Sequence, residues 1–480
     1  MNIKKEIHNK TKIVVTMGPA VDDEDILRNI IKSGADIFRL NFSHGSYTDH
    51  LKRIKMIRKV EKQFNLLIPI LLDLQGPKIR IGDLEEDFIE IKKNQELIID
   101  PDIKVGSKAG VSISFKDLYK FVKKNDKILV DDGLIKFRVV SVDGKKITLK
   151  SINEGIIKPH KGVNLPDTKL PIPALTEKDK NDLRFGLEHN INAVALSFVR
   201  KKSDIIELKK FIKKYRKEDD SKITIIAKIE KPEAVKNIKE IIEEVDGIMV
   251  ARGDLGVETS PQSVPEIQKK LIRLAFKRNK FVITATQMLE SMIHNRIPTR
   301  AETTDVFNAV LDGTDAVMLS GETAVGEHPV ETVKTMADIV FRAETYYHDV
   351  RLNFINDKNE VDRLLITNAA ICVTSKIHPK FIATFSASGK TAVYLAKTRP
   401  KSRLIVFVFD KSIAYYLRFF YAVFTFVVPI YKNTDEMIKK VNTFFKEKKI
   451  GKKGDVILLT FGSPVGKNTE TNTLKIHTIE

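Results

Sequence analysis

The sequence predicts an α/β fold: a (β/α)8 TIM barrel, a small inserted β-barrel domain lying over one of its ends, and a C-terminal open α/β domain. Three features predict it. Eight short β-branched runs alternate with amphipathic segments, six of the seven intervals between their starts are one βα unit long, and the one long gap has a different texture.

The candidate strands are KIVVTM from Lys12, DIFRLN from Asp36, IPILLDL from Ile68, NAVALSF from Asn192, ITIIAKI from Ile223, GIMVAR from Gly247, FVITATQ from Phe281 and AVMLS from Ala316. Their starts are 24, 32, 124, 31, 24, 34 and 35 residues apart. Parallel neighbours need a crossover of a dozen residues or more, which every interval supplies, and the third exceeds one unit by about 90. Inside that gap LIKFRVVSV, an Asp143-Gly144 turn and KKITLK spell a β-hairpin. The proline-rich LPDTKLPIPALTEKD reads as the exit hinge. After Thr345 the runs KFIATFS, RLIVFVF and DVILLTF alternate with helical stretches in a new register. The division is therefore 1–80 and 171–345 for the barrel, 81–170 for the insert and 346–480 for the C-terminal domain.

Length agrees, since 480 residues at roughly 150 per domain make about three. With 42% hydrophobic and 30% charged residues, the chain is apolar enough for real cores. A single cysteine, Cys372, excludes an intrachain disulfide and a cysteine-rich zinc module, which fits a reducing compartment, the cytoplasm. Cys372 itself, in an apolar helical stretch, reads as core. The N-terminal MNIKKEIHNK has no secretory signature, and the longest apolar run, Phe419 to Val428, is too short to cross a bilayer.

The net charge of +19, from 82 Lys+Arg against 63 Asp+Glu, raises the question of a polyanion partner. Only short clusters stand out: Lys213, Lys214, Arg216 and Lys217, then Lys446, Lys448, Lys449, Lys452 and Lys453. Elsewhere the lysines are interleaved with acids, so the charge reads as surface composition, with no nucleic-acid and no membrane partner.

In such a barrel the working residues gather at the C-terminal ends of the strands. There the second strand carries Arg39, Asn41, Ser43 and His44, the third Asp73, the fifth Lys228 and Glu230, the sixth Arg252, Gly253 and Asp254. The seventh carries Thr284 and Thr286, and the eighth ends at Ser320 and Glu322. Arg39 and Asn41, like Lys228 and Glu230, are two residues apart and share a side of their strand. One such pair alone reads as a structural ion pair. A mouth holding Arg39, Arg80, Lys228 and Arg252 opposite Asp73, Glu230 and Asp254 reads as built for an anionic ligand with a divalent metal. Glu230 and Asp254 offer hard oxygens suited to Mg²⁺ or Mn²⁺, which points to metal-assisted phosphoryl transfer.

The loop SASGKTA, Ser386 to Ala392, lacks the first glycine of a P-loop, Thr384 standing in its place. It reads either as a phosphate cradle at a helix N-terminus or as an ordinary strand-to-helix turn. The histidines show no metal-ligand spacing.

The segments IFRLNFSHG (37–45), LLDLQGPKIR (71–80), HKGVNLP (160–166), PALTEKD (173–179), AKIEKPEAV (227–235), IMVARGDLGVE (248–258), ATQMLESM (285–292), PTRAETTDV (298–306) and LDGTDAVMLSGETAVGEHPVE (311–331) together resemble the pyruvate kinase family across essentially the whole chain. The resemblance implies phosphoryl transfer from phosphoenolpyruvate to ADP, giving pyruvate and ATP, the last step of glycolysis. It implies Lys228 as the catalytic lysine, Arg39 as a phosphate-binding arginine, Glu230 and Asp254 as ligands of Mg²⁺ or Mn²⁺, and Gly253, Asp254 and Thr286 as substrate-holding positions. Thr286 and Ser320 are candidates for delivering the enolate proton through water. Asn41, Phe42, Ser43, His44, Arg80 and Lys161 match the nucleotide-contacting set, and Lys161 lies on the insert, which becomes a lid.

Most family members bind K⁺ near the positions of Asn41, Ser43, Asp73 and the carbonyl of Leu74, and carry glutamate where this chain has Lys78. The lysine implies a K⁺-independent bacterial form, its ammonium supplying the charge. The C-terminal domain resembles the family's regulatory domain, with Ser386, Ser388, Gly389, Lys390 and Thr391 where phosphorylated effectors bind, and the resemblance implies a homotetramer. Two rivals are weighed beside it: a metal-dependent aldolase on the same barrel, which has no nucleotide for Lys161 to cover, and a basic nucleic-acid scaffold, for which the site residues ought to be damaged.

Overall fold

The computed structural model describes residues 9–216, 221–346, 361–465 and 470–480. The first eight residues of the N-terminal stretch, and Lys217 of the first lysine cluster, lie outside them.

All eight expected strands form, as Lys12–Thr16, Ile37–Asn41, Ile70–Asp73, Ala193–Leu196, Thr224–Ile229, Gly247–Ala251, Phe281–Ala285 and Ala316–Leu319, in one closed barrel of parallel neighbours. Their two faces do different work. Val15, Leu40, Leu72, Val194, Ile229, Val250, Val282 and Leu319 pack outward against the helices. Val14, Ile37, Leu71, Ala193, Ile226, Met249, Ile283 and Met318 pack in a separate cluster that fills the interior. Continuing the inward alternation places Arg39, Asp73, Ser197, Lys228 and Glu230 above that apolar filling, at the C-terminal end.

Two segments of the family resemblance are helix starts rather than chemistry. Thr176 and Asp179 of PALTEKD, and Thr299 and Glu302 of PTRAETTDV, form capping boxes on the helices Glu177–Glu188 and Arg300–Leu311.

The insert is a seven-stranded sheet with two added strand pairs over its own core of Ile128, Phe137, Leu149 and their neighbours. The hairpin appears as Ile135–Asp143 paired antiparallel with Lys146–Ser151, with Gly144 at φ 57 in the turn. A single bridge between Ile81 and Ile113 brings the far edges of the sheet together. Arg200 fixes the exit hinge by donating to the carbonyls of Leu170 and Ile172.

The C-terminal domain is a five-stranded sheet. Beside Phe381–Phe385, Arg403–Val408 and Val456–Phe461 it contains two strands that the sequence reading missed, Val423–Val427 and Thr473–Thr478. The first lies within the apolar run considered only as a membrane span. The second pairs antiparallel at an edge, where exposure blurs the alternation. Cys372 is exposed on the helix Val361–Ile377, so its reading as core is corrected: apolar and polar residues are scattered around that helix without a distinct stripe, and periodicity could not assign a face. Among the described residues no helix is long and apolar enough to cross a membrane.

This domain covers the N-terminal end of the barrel. Phe281, at the start of the seventh strand, stacks on Phe419 with ring centroids 4.9 Å apart and meets Phe420 edge-on at 5.4 Å. Around them lie buried charges, Asp315 with Lys397 at 2.8 Å and Asp36 with Arg418 at 3.4 Å. Sealing that end leaves the opposite mouth, under the insert, as the open one.

Candidate active site

Four charges meet at the mouth. Arg39 Nε donates to Asp73 Oδ2 at 2.6 Å, and Lys228 Nζ lies 3.2 Å from Asp73 Oδ1 and 2.9 Å from Glu230 Oε1. Two cations balance two carboxylates, which is what makes burial of all four tolerable. Burial disfavours the charge of Asp73, yet Lys228 and Arg39 outweigh it and hold its pKa below the ordinary value. Lys228 is likewise opposed by burial, but Asp73 and Glu230 raise its pKa above that of a free lysine, so the ammonium stays protonated. For Glu230 burial wins: it pushes the pKa up against the pull of Lys228, and Asp254 pushes it further. Glu230 is thus a fully buried carboxylate that gains from any added cation.

Two uncharged residues complete the cluster. Thr16 Oγ1 accepts from Arg39 Nη1 at 3.0 Å, and Ser197 Oγ accepts from Lys228 Nζ at 2.8 Å. Sequence reasoning missed both, since a small hydroxyl closing an apolar strand carries no spacing signal. Glu230 Oε2 accepts from the Phe198 N–H at 2.7 Å, while Oε1 is buried and accepts no hydrogen bond. Asp254 stands half-buried in the first turn of the helix Arg252–Glu258 and lines the cleft between insert and barrel. Among the described residues no three His, Cys, Asp or Glu side chains gather as a metal site, so the protein offers two carboxylates and leaves other positions open. Two hard carboxylates, one of them fully buried with an oxygen whose near partner is the Lys228 ammonium at 2.9 Å, fit a divalent cation that keeps substrate and water oxygens.

Thr286 sits with φ 69 and Gln287 with φ 53, both in the left-handed region. Thr286 Oγ1 accepts from the Gly253 N–H at 2.9 Å. Arg252 holds this turn: it donates to the carbonyls of Thr286 and Gln287 and pairs with Asp305 at 2.8 Å. That corrects the reading of Arg252 as a cation for the ligand, because its guanidinium is spent on the loop. Ser320 Oγ is buried without a hydrogen-bond partner.

Of the nucleotide set, Asn41 accepts from the Ser43 N–H at 3.2 Å, and His44 is exposed. Partial desolvation of its ring lowers the His44 pKa, and the charges of Lys78, Arg80 and Arg39 lower it further, so insert and barrel cations converge there. Arg80 and Lys161 lie on the neighbouring strands Ile79–Arg80 and Gly162–Asn164 or beside them; Arg80 donates to the His160 carbonyl at 2.9 Å, and Lys161 pairs with Asp131 at 3.0 Å. Phe42 turns its side chain into the core. Its ring is buried and stacked on His50 at 4.0 Å, its N–H goes to the Asp73 carbonyl, and its own carbonyl accepts from Lys178 at 2.7 Å.

The SASGKTA loop follows the strand Phe381–Phe385, whose two neighbours in the sheet lie on opposite sides, the position of a topological switch. Gly389, at φ 79, donates its N–H to Ser386 Oγ at 3.1 Å, and Thr391 Oγ1 lies 2.7 Å from Thr471 Oγ1. Ser388 and Lys390 are exposed.

Comparison with known proteins accounts for nearly all of the chain. Residues 8–333 match the family model described as pyruvate kinase, barrel domain, and residues 365–477 that of pyruvate kinase, alpha/beta domain. The pyruvate kinase of Geobacillus stearothermophilus is 41% identical over 476 residues, 98% of this chain and 80% of its own. That of Clostridium perfringens is 41% identical over 475 residues, covering 98% of this chain and 100% of its own. The solved structure of a pyruvate kinase from Cryptosporidium parvum aligns with a TM-score of 0.89 at 34% identity, over 99% of this chain and 97% of that one. The matches span barrel, insert and C-terminal domain, and the chain belongs to the pyruvate kinase family.

Proposed function

We propose that the barrel mouth transfers the phosphoryl group of phosphoenolpyruvate to ADP, giving pyruvate and ATP in the cytoplasm. The observation that carries this reading is the buried, charge-balanced quartet of Arg39, Asp73, Lys228 and Glu230. Breaking the bond between phosphorus and the enol oxygen, and forming one to the β-phosphate of ADP, spreads negative charge over oxygens, so fixed positive charge is the main catalytic need. Lys228 supplies it at the transferring phosphoryl and the developing enolate oxygen, and Arg39 holds the phosphate. Gly253, Asp254 and Thr286 hold the substrate. Ser320, with its unpartnered hydroxyl, and Thr286 lead a water chain to the enolate carbon, which takes the proton.

Glu230 and Asp254 would hold Mg²⁺ or Mn²⁺, which when bound supplies further positive charge at phosphate and carboxylate oxygens. Asn41, Ser43, His44, Arg80 and Lys161 contact the nucleotide, and the insert closes over it to exclude water. A coupled assay is expected to show pyruvate formed from phosphoenolpyruvate only when ADP is present. ADP-independent turnover would favour an aldolase-like reading instead.

Lys78 is exposed near His44 and forms no ion pair among the described residues, so its ammonium is available where other members recruit K⁺ beside Asn41, Ser43, Asp73 and the Leu74 carbonyl. Activity is therefore expected without K⁺. A rate that climbs more than about tenfold on replacing tetramethylammonium chloride with KCl would refute this. The turn Ser386 to Thr391 is proposed to take a phosphorylated effector, in a homotetramer that light scattering at micromolar concentration would reveal.

A further inference from the structure

We propose that Ser197 is a positioning residue for Lys228, fixing the catalytic ammonium through a hydroxyl that itself touches no substrate. The proposal rests on the reading of the mouth given above, and its test separates the two.

Lys228 Nζ has three nearby acceptors. Two are carboxylates, Asp73 at 3.2 Å and Glu230 at 2.9 Å, and both would draw a mobile ammonium toward themselves along its four-carbon stem. The third, Ser197 Oγ at 2.8 Å, is the one with hydrogen-bond geometry. Ser197 Oγ donates its own proton to the Leu74 carbonyl at 2.6 Å, so its lone pair is left facing Lys228. The direction of the contact is thereby set by the backbone of the third strand. Without that acceptor nothing neutral holds the ammonium away from the two carboxylates, whose charges leave it with no charge-driven reason to face a phosphate.

The corner bearing Ser197 is built for this. Ser197 is 1% exposed, and the next residue, Phe198, lies at φ 53, a costly conformation for an aromatic residue. That turn aims the Phe198 N–H at Glu230 Oε2, so one corner orients both the lysine and the carboxylate beside it. Space for it comes from Gly76, at φ 70: a Cβ there would stand 2.7 Å from the Phe198 ring and 2.9 Å from Ser197 Cβ. Gly76 is held in turn by Asp179, which accepts its N–H at 3.0 Å. A strained turn kept in place from two neighbouring loops is what a site needs to hold a long side chain to a fraction of an ångström.

The full-length enzyme carrying Ser197→Ala is expected to lose about ten- to thirtyfold in kcat, with KM for phosphoenolpyruvate and the Mg²⁺ concentration for half-maximal rate within about twofold of the wild type. Its melting temperature should stay within about 2 °C, since the hydroxyl removed is small. A kcat within about threefold of the wild type would overturn the proposal. So would a joint rise in KM and Mg²⁺ requirement with a lowered melting temperature, which marks a merely structural role. If the wild type itself makes no pyruvate on addition of ADP, it is the reaction assigned above that fails.

Discussion

Replacing Lys228 with methionine is expected to lower kcat by about three orders of magnitude, measured by ADP-dependent pyruvate formation, with KM for phosphoenolpyruvate changed only a few-fold. Methionine keeps most of the length and bulk but removes the charge, and the charge matters chiefly when the phosphoryl group is in flight. The fold should persist, because neither carboxylate is abandoned. Asp73 retains Arg39 at 2.6 Å, and Glu230 retains the Phe198 N–H at 2.7 Å. Stability should nevertheless drop by a few kcal/mol, the cost of breaking a buried pair from one side. Adding Mg²⁺ is expected to restore part of it in the variant, since a cation at Glu230 offsets the missing ammonium. Near wild-type turnover would remove Lys228 from the catalytic role.

Much of this site was legible in the sequence because charged residues inside a barrel are rare and expensive. Once the eight strands were placed, Arg39, Asp73, Lys228 and Glu230 stood out as charges at the strand ends, with parity putting Lys228 and Glu230 on one side. Illegible were the groups whose chemistry depends on a turn. Ser197 became visible only when the left-handed Phe198 and the Gly76 loop closed around it. Arg252 looked free until the positive-φ turn at Thr286 and Gln287 presented two carbonyls to its guanidinium. Phe42 belonged to a matching motif, yet motif identity does not say whether a side chain faces the ligand or the core. The missed edge strand Thr473–Thr478 shows a parallel limit, because strand signals weaken where one side of the pairing is absent.

The second large effect is expected far from the chemistry, at Asp315. This residue is 0% exposed, just before the eighth strand, and its oxygens meet groups from both domains. Oδ2 accepts from Lys397 Nζ at 2.8 Å and from the Val282 N–H at 3.0 Å, and Oδ1 accepts from the Tyr421 N–H at 3.3 Å and lies 3.3 Å from Arg399. Asp315→Ala leaves Lys397 and Arg399 buried without their counter-ion, and should cost about 3–5 kcal/mol in urea unfolding, loosening the C-terminal domain from the barrel first. Lys397→Met should cost far less, because an apolar chain replaces one cation while Asp315 keeps Arg399 and two N–H donors. Charge in the wrong place, rather than lost contact area, thus sets the order of the two variants. A pH series gives an independent check. Burial lowers the pKa of Lys397 to about 8, against 10.5 in a free lysine, and the pull of Asp315 only partly opposes it. The folded chain then gives up this proton near pH 8 while the unfolded chain holds it to about 10.5, so this group's contribution to stability rises with pH across that window. The wild type should accordingly gain on Lys397→Met between pH 8 and 10. A wild-type advantage that shrinks with rising pH would mean that Asp315 keeps the buried lysine charged, and that the interface is held by a true ion pair throughout.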